Sequence, residues 1–173
     1  KTYYDYPNQR INLLRKYGNH PFPTEQKLEA EACDYCYQGT ISDKKIESSQ
    51  QEDKMNNAPE QYVVKRCSDT KYNGGWHTDL TADGLNALRW KELPFRSGES
   101  IIRFRYASEG EITVCCQIGN EMTQKVTLPA TGNAWEETEV AVYTRDTRGY
   151  ADFNLAVIEG AISLNYVEII TNK

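Results

Sequence analysis

The chain has 173 residues, a formal net charge of -5 and a sequence pI near 5.2. This length suits one domain with an appendage, and the mildly acidic composition offers no basic field for a nucleic-acid backbone or an anionic membrane. The mean hydropathy is -0.73, and no apolar run approaches the roughly 20 residues of a bilayer span, so no membrane-spanning segment is predicted.

The N-terminal part, residues 1–26, is rich in Tyr, Asn, Arg and Pro and ends in His20-Pro21-Phe22-Pro23. The two prolines impose extended backbone and block a helix. We therefore expect a linker or N-terminal extension over 1–26, preceded by another domain, and a main domain over 27–173. Within the main domain, the stretch 43–59 is almost entirely polar and is predicted to be a mobile loop.

The main domain alternates short β-prone runs with turn residues. The runs predicted as strands are 61–67, 87–93, 100–107, 111–118, 123–128, 136–143, 153–159 and 162–171. Apolar and polar residues largely alternate in 100–107, which is the period of a half-buried antiparallel strand. Turn pairs such as Gly119-Asn120 and Gly132-Asn133 separate the runs with no amphipathic helix between them. This pattern predicts an all-β sandwich of two antiparallel sheets.

The cysteines, Cys33, Cys36, Cys67, Cys115 and Cys116, are odd in number and cannot all pair within the chain. Cys115 and Cys116 are neighbours in a predicted strand, so their side chains point to opposite faces and at most one is expected to face the core. We interpret the cysteines as small buried hydrophobic residues rather than as a disulfide framework. The spacing Cys33 to Cys36 matches redox motifs but lacks their βαβ context.

Four short motifs follow one another along the main domain. They are Leu28-Glu29-Ala30-Glu31, Phe104-Arg105-Tyr106-Ala107-Ser108, Thr131-Gly132 ahead of Trp135, and Ile162-Ser163-Leu164-Asn165-Tyr166-Val167. Their order and spacing over about residues 27–171 resemble the family-six carbohydrate-binding modules. The resemblance implies a galactose-binding-like β-jelly roll with a sugar cleft in the loops at one end of the sandwich. Some members of that family have a second cleft on the concave face.

The same resemblance implies a noncatalytic module that binds a polysaccharide or oligosaccharide and targets a fused or partner polysaccharide-degrading enzyme to it. Such modules are secreted, periplasmic or on the cell surface, and we expect a monomer. With only two histidines, His20 and His77, and no Gly-rich phosphate loop, the chain has little material for a triad, a zinc site or a nucleotide site. Two alternatives stay open: a structural or protein-interaction sandwich with a degenerate sugar site, and a small glycoside hydrolase using paired carboxylates.

Aromatic residues are the first candidates for sugar binding, because a flat ring covers the apolar C–H face of a pyranose. Trp135 is similar to the stacking tryptophan of the family; the alternative is a core or sheet-edge tryptophan. Trp76 follows a glycine pair that favours a loop, where it would supply a second ring around one sugar. His77 beside it would bind a hydroxyl group or lie in solvent. Trp90 is expected in the core.

Polar candidates come from the C-terminal motif and from one turn. The family has a sugar-binding Asn two residues before an acidic or amide position, and Ser163 and Asn165 occupy these two places. A serine hydroxyl has a shorter reach than an amide, so the cleft is expected to be weaker, differently selective or inactive. Asp83-Gly84-Leu85-Asn86 takes the place of a Gly-Asp-aromatic turn, and Asn86 stands there at an expected ligand position.

Glu29 and Glu31 lie two residues apart on a predicted strand, so their carboxylates share a face and are costly to keep ionised without a cation. The resemblance implies a structural Ca²⁺ bound by these two residues and by Asn165, which replaces an acidic residue; Ca²⁺ accepts carboxylate and carbonyl oxygens alike. An exposed pair without a metal is the alternative.

Overall fold

The computed structural model describes residues 25–48, 63–71, 75–145 and 149–171. The strands within these ranges are β1 (Glu25–Glu29), β2 (Tyr35–Tyr37), β3 (Gly39–Ile41), β4 (Ile46–Ser48), β5 (Val64–Arg66), β6 (Trp76–Thr81), β7 (Ala87–Pro94), β8 (Gly98–Ala107), β9 (Ile112–Ile118), β10 (Gln124–Leu128), β11 (Glu136–Thr144), β12 (Tyr150–Glu159) and β13 (Ala161–Thr171). The helical content of these ranges is one 3-10 turn, Ala30–Ala32.

All of these strands except β3 and β4, which pair with each other, form two antiparallel sheets. Sheet A has the order β11-β8-β13-β6-β5, and β1 also pairs with β13; sheet B has the order β10-β9-β12-β7-β2. Their facing sides enclose one large apolar core. The predicted all-β sandwich is therefore confirmed. None of the described residues forms a helix long and apolar enough to span a bilayer.

The longest predicted alternation explains how sheet A acquires a dry and a wet face. In β8 the side chains of Ile102, Phe104 and Tyr106 are fully buried, while those of Arg103 and Arg105 lie on the outer face. Burying each large apolar side chain contributes roughly 1.5–3 kcal/mol. The alternation of this one strand thus fixes which of its side chains build the core and which form the polar outer surface.

Trp90 lies in the core, as expected. It is 4% exposed, its ring stacks on Phe153 with the centroids 5.7 Å apart, and its indole N–H donates to the carbonyl oxygen of Glu29 at 3.2 Å. The hydrogen bond satisfies the one polar group of a side chain that is otherwise apolar. Trp90 therefore takes no part in an open site.

A hairpin of β3 and β4 covers part of the outer face of sheet B, where Ile46 packs with Cys115 and Ala156 in a second apolar cluster. The prediction of a loop over 43–59 was wrong for Ile46–Ser48, because Ile46 supplies an apolar anchor; residues 49–59 lie outside the described residues. All five cysteines are free and buried. Cys116 faces the main core and Cys115 faces this second cluster, which confirms that their side chains point to opposite faces.

The main domain begins slightly earlier than residue 27, its predicted first residue. Glu25 and Gln26, expected at the end of the linker, belong to β1 and pair with Ile170 and Ile169 of β13. Residues 1–24 of the expected linker lie outside the described residues.

Candidate functional site

The loop that carries Trp135 is a tight turn placed by its backbone conformation. Gly132 and Asn133 both have positive φ angles, 61° and 64°, and the Ala134 N–H donates to the Thr131 carbonyl at 3.2 Å. These are the features of a type I′ turn, for which glycine and asparagine are favoured. The sequence Gly132-Asn133 thus reverses the chain and places Trp135 immediately before β11.

This turn is fastened to the end of β8. The backbone N–H groups of Thr131 and Asn133 both donate to the Ser108 carbonyl, and the Ser108 N–H donates to Thr131 Oγ1 at 2.9 Å. The Tyr106 hydroxyl donates to the Pro129 carbonyl at 2.7 Å. Hydrogen bonds to Tyr106 in β8 and to Ser108 directly after it therefore hold the base of the Trp135 loop.

Trp135 is half-buried and contacts His77 edge to face, with the ring centroids 5.3 Å apart. Its indole N–H donates to Ser68 Oγ at 3.0 Å. His77 is 9% exposed and lies in β6, so the expectation that Trp76 and His77 belong to a loop was wrong: Trp76–Thr81 pairs with β5 and β13. His77 supports the indole from one side, and part of the Trp135 side chain stays exposed to solvent.

Asp79 is the centre of the polar cluster beside this pair. Its Oδ1 accepts hydrogen bonds from Ser163 Oγ at 2.7 Å and His77 Nε2 at 3.0 Å, and its Oδ2 lies 2.7 Å from Lys65 Nζ. Burial disfavours the charged form, but the hydrogen bonds from His77, Lys65 and Ser163 outweigh it and hold the pKa of Asp79 well below its usual range. The carboxylate is therefore a permanent negative charge.

Ser163, His77 and Asp79 are the residue types of a catalytic triad, but their hydrogen bonds do not run in the order of a triad. Both the hydroxyl and the imidazole donate to Asp79 Oδ1. A nucleophilic serine needs the imidazole as the acceptor of its own proton. The arrangement therefore does not activate Ser163.

A second carboxylate, Asp69, is nearly inaccessible and lies in the segment that also carries Ser68. It binds Arg105 through two hydrogen bonds of 2.7 Å, and it accepts one from Asn165 Nδ2 at 3.0 Å and one from the Lys71 backbone N–H at 3.1 Å. The Arg105 hydrogen bonds, aided by those from Lys71 and Asn165, lower the pKa of Asp69 to about 2 although burial opposes this. Asn165 is thus part of the support of the loop beneath Trp135.

Trp76 is 47% exposed and packs against the Arg66 guanidinium, 5.6 Å from the ring centroid. Because successive side chains of a strand point to opposite faces, Trp76 and His77 diverge. The structure bonds His77 and Ser163 to Asp79, places Trp135 against His77, and leaves Trp76 on the other side of sheet A.

Asn86 does not join this cluster. It is 4% exposed; its Oδ1 accepts from the Gly39 N–H at 2.7 Å, and its Nδ2 donates to the carbonyls of Gly39 and Val157 at 3.2 and 3.3 Å. This corrects its interpretation as a ligand contact, because the amide is already bonded to backbone on every side. Asn86 instead fastens β3 to sheet B.

Glu29 and Glu31 lie together, although Glu31 belongs to the 3-10 turn Ala30–Ala32 and not to a strand as expected. Burial, and to a smaller extent the neighbouring Glu29 carboxylate, raise the pKa of Glu31 to about 7, and its Oε2 is buried without a hydrogen-bond partner. A cation would satisfy this oxygen. Across the described ranges no three His, Cys, Asp or Glu side chains converge on one position, so further ligands would be neutral oxygens.

A groove of about 1090 Å³ lies on the outer face of sheet B, beside the tip of the β3–β4 hairpin. Its charged lining residues are Lys45, Arg89, Glu92, Glu121, Arg145 and Asp152. Glu92 has a positive φ angle of 53° at a bulge opposite Asp152, whose Oδ1 accepts its backbone N–H at 2.9 Å. The groove offers equal numbers of acidic and basic side chains, in contrast to the aromatic site at Trp135.

Solved structures of similar fold include carbohydrate-binding modules and a larger enzyme. The C-terminal family 6 module of LamC, a laminarinase from Zobellia galactanivorans, has a TM-score of 0.59 at 19% identity, over 85% of this chain and 99% of that chain. A module of Cellvibrio mixtus lichenase 5A, in complex with cellotriose, has a TM-score of 0.55 at 19% identity, over 86% and 98%. These identities show a shared fold.

A larger enzyme contains the same fold. The exo-beta-1,3-galactanase of Phanerochaete chrysosporium, in a structure with galactose, has a TM-score of 0.57 at 12% identity, over 89% of this chain and 31% of that chain. No curated protein matches the chain by sequence.

Two family models match different parts of the sequence. One, described as a domain of unknown function (DUF5010), matches residues 1–35. The other, described as carbohydrate binding module (family 35), matches residues 61–169, which is more than half of the chain. The resemblance to carbohydrate-binding modules is thereby confirmed, and the chain belongs to family 35 of these modules.

Proposed function

We propose that this domain is a noncatalytic module that binds a glycan at Trp135 and targets a polysaccharide-degrading enzyme to it. The observation that carries the proposal is a partly exposed indole in contact with His77, whose Nε2 is in turn bonded to the ionised Asp79. An apolar ring face next to fixed hydrogen-bonding groups meets both needs of a pyranose, its C–H face and its hydroxyl groups. Module binding raises the effective concentration of an attached enzyme at its substrate.

The attached enzyme belongs to the proposal. The separate match of residues 1–35 to DUF5010 supports a neighbouring domain in the same polypeptide, and the galactanase shows this fold within a larger enzyme. An extracellular glycan requires a secreted, periplasmic or surface location, and we propose that the module acts there as a monomer.

Substitution of Trp135 tests the proposal. In isothermal titration with oligosaccharides from xylan, arabinan, β-glucan and galactan, we expect binding of at least one, and Trp135→Ala is expected to weaken it about 10- to 100-fold, because burying the apolar ring stabilises the complex by roughly 1.5–3 kcal/mol. Tyr143→Ala is the matched control, since Tyr143 is 63% exposed near the far end of β11, the strand that Trp135 precedes. Equal binding by wild type and Trp135→Ala would contradict the proposal.

A second candidate function is a structural or protein-interaction sandwich with a degenerate sugar site. It is favoured by the divergence of Trp76 from His77, because a sugar at Trp135 then lacks a second ring from that residue. Absence of binding to all four glycan classes by the intact protein would favour this candidate.

We also propose that Glu29 and Glu31, with Asn165 as a neutral ligand, hold a structural Ca²⁺. Calcium would supply the positive charge that the two carboxylates need in order to ionise together. Asn165 donates through Nδ2 to Asp69, which leaves its Oδ1 as the oxygen suited to a cation.

The calcium proposal predicts a pH-dependent effect of chelation. Without metal, the raised pKa of Glu31 means that the folded state binds its proton more tightly than the unfolded chain, so stability falls as pH rises from about 4.5 to about 7. EDTA is therefore expected to lower the melting temperature at pH 8, with restoration by added Ca²⁺, and to have little effect at pH 5. A wild-type melting temperature that EDTA leaves unchanged at pH 8 would contradict an occupied site. An EDTA effect of the same size in Glu31→Gln as in wild type would also contradict it.

A further inference from the structure

We propose that Asp79 contacts the ligand directly, accepting hydrogen bonds from adjacent hydroxyl groups of a neutral pyranose stacked on Trp135. This inference rests on the proposed function and adds to it a named acceptor and a substrate class. No sequence motif pointed to Asp79. It reaches the site through the pairing of β6 with β13, where it lies opposite Ser163, and such a pairing is not visible in a local motif.

The two oxygens of Asp79 are not used equally. Oδ1 already accepts from Ser163 and His77, whereas Oδ2 is bonded to Lys65. A carboxylate offers about four acceptor positions, so Oδ2 retains capacity for a ligand hydroxyl. The Asp79 side chain is 28% exposed, so a ligand can reach it.

The exposed Lys65 partner leaves the Asp79 carboxylate open to a ligand. The Lys65 side chain is 58% exposed, and an ion pair this open to solvent contributes only about 0–1 kcal/mol. A sugar hydroxyl can therefore insert beside the ammonium group, donating to Asp79 Oδ2 and accepting from Lys65 Nζ. Together the pair provides the acceptor and the donor that a polyol requires.

Ser163 acts behind Asp79. The serine hydroxyl donates its proton to Asp79 Oδ1 at 2.7 Å. Its short side chain thus orients the carboxylate and leaves Oδ2 for the ligand. Ser163 is accordingly a positioning residue.

The substrate class follows from the charge. At Asp79 Oδ2 a uronate would bring its carboxylate against an ionised carboxylate that already holds the Lys65 ammonium, whereas a neutral hydroxyl group can donate to the same oxygen without that repulsion. The site is therefore expected to prefer neutral pyranoses with two adjacent free hydroxyl groups.

The test compares matched neutral and uronate-bearing oligosaccharides in isothermal titration, for example xylo-oligosaccharides with and without a glucuronate branch. Wild type is expected to favour the neutral form. Asp79→Asn keeps the shape and removes the charge, and is expected to weaken neutral binding roughly 10-fold or more, because hydrogen bonds to charged groups are the strong ones. The discrimination against uronate is expected to disappear in the same variant. Ser163→Ala should weaken binding less than Asp79→Asn.

Two results would overturn the inference: wild-type binding that Asp79→Asn leaves unchanged, or tighter wild-type binding of the uronate form. Absence of binding by wild type would instead contradict the proposed function itself. A measurement on the wild-type protein avoids dependence on the folding of the variant. Saturation with a neutral oligosaccharide is expected to shift the ¹³C resonance of the Asp79 carboxyl carbon, and an unshifted resonance would contradict direct contact.

Discussion

Asp69→Ala is expected to lower the free energy of unfolding by about 3 kcal/mol or more, because it leaves the Arg105 guanidinium buried without its main partner. The Asp69 side chain is 1% exposed and that of Arg105 is 13% exposed, and the two share a pair of 2.7 Å hydrogen bonds. Glu137 is 4.0 Å from Arg105 and compensates only partly. Urea denaturation of wild type and variant measures the difference.

The matched control is Glu139→Ala, which removes a similar hydrogen-bonded partner from Arg103 on the outer face of the same sheet. The Glu139 side chain is 51% exposed, so the expected loss is below about 1 kcal/mol. Equal losses in the two variants would show that burial of the Asp69 pair is not the source of its effect.

Acid titration gives an independent check on Asp69. Its pKa is lower in the folded than in the unfolded chain, so its contribution is fully present above about pH 4 and is lost as pH falls toward 2. The stability of wild type should decline through this range more steeply than that of Asp69→Ala. Parallel declines would contradict the pairing.

The sheets were predictable where strands are long enough to show a period. The eight predicted runs correspond to β5 and to β7 through β13, with ends that differ by a few residues. The strands β2, β3 and β4 have three residues each, too few to reveal alternation; β5 is equally short but lies within the longer β-prone run 61–67. In β6 the glycine pair before Trp76 favoured a loop, and Thr78 on the inward face weakened the apolar signal.

The candidate site was predictable only in part. Trp135 follows a turn whose two residues signal their positive φ angles, so its position could be inferred. Asp79 and Asp69 could not be found in this way, because they meet Ser163 and Asn165 across 84 and 96 residues of sequence. Such contacts depend on strand register, which local sequence patterns do not reveal. The same lack of register information made Asn86 look like a ligand contact.

Asn86→Ala is expected to lower the free energy of unfolding by about 2–4 kcal/mol, since it leaves the Gly39 N–H and two backbone carbonyls without their partner amide. The contact that Asn86 bridges is close, because a Cβ added at Gly39 would lie 3.2 Å from the Ala87 Cβ of sheet B. Urea denaturation measures the loss, and Asn120→Ala, an exposed amide in the β9–β10 turn, is the control, with an expected change within about 0.5 kcal/mol.

Hydrogen exchange then distinguishes a local from a general effect of Asn86→Ala. Since the amide bonds β3 to sheet B, backbone amides of the β3–β4 hairpin should lose protection more than those of β8 and β13 in the centre of sheet A. Glycan binding at Trp135 should remain within about 3-fold of wild type, a change of under 1 kcal/mol. The reason is that Asn86 bonds to Gly39 and Val157 and does not join the cluster at Asp79. A large loss of binding with unchanged hairpin protection would instead restore Asn86 as a ligand contact.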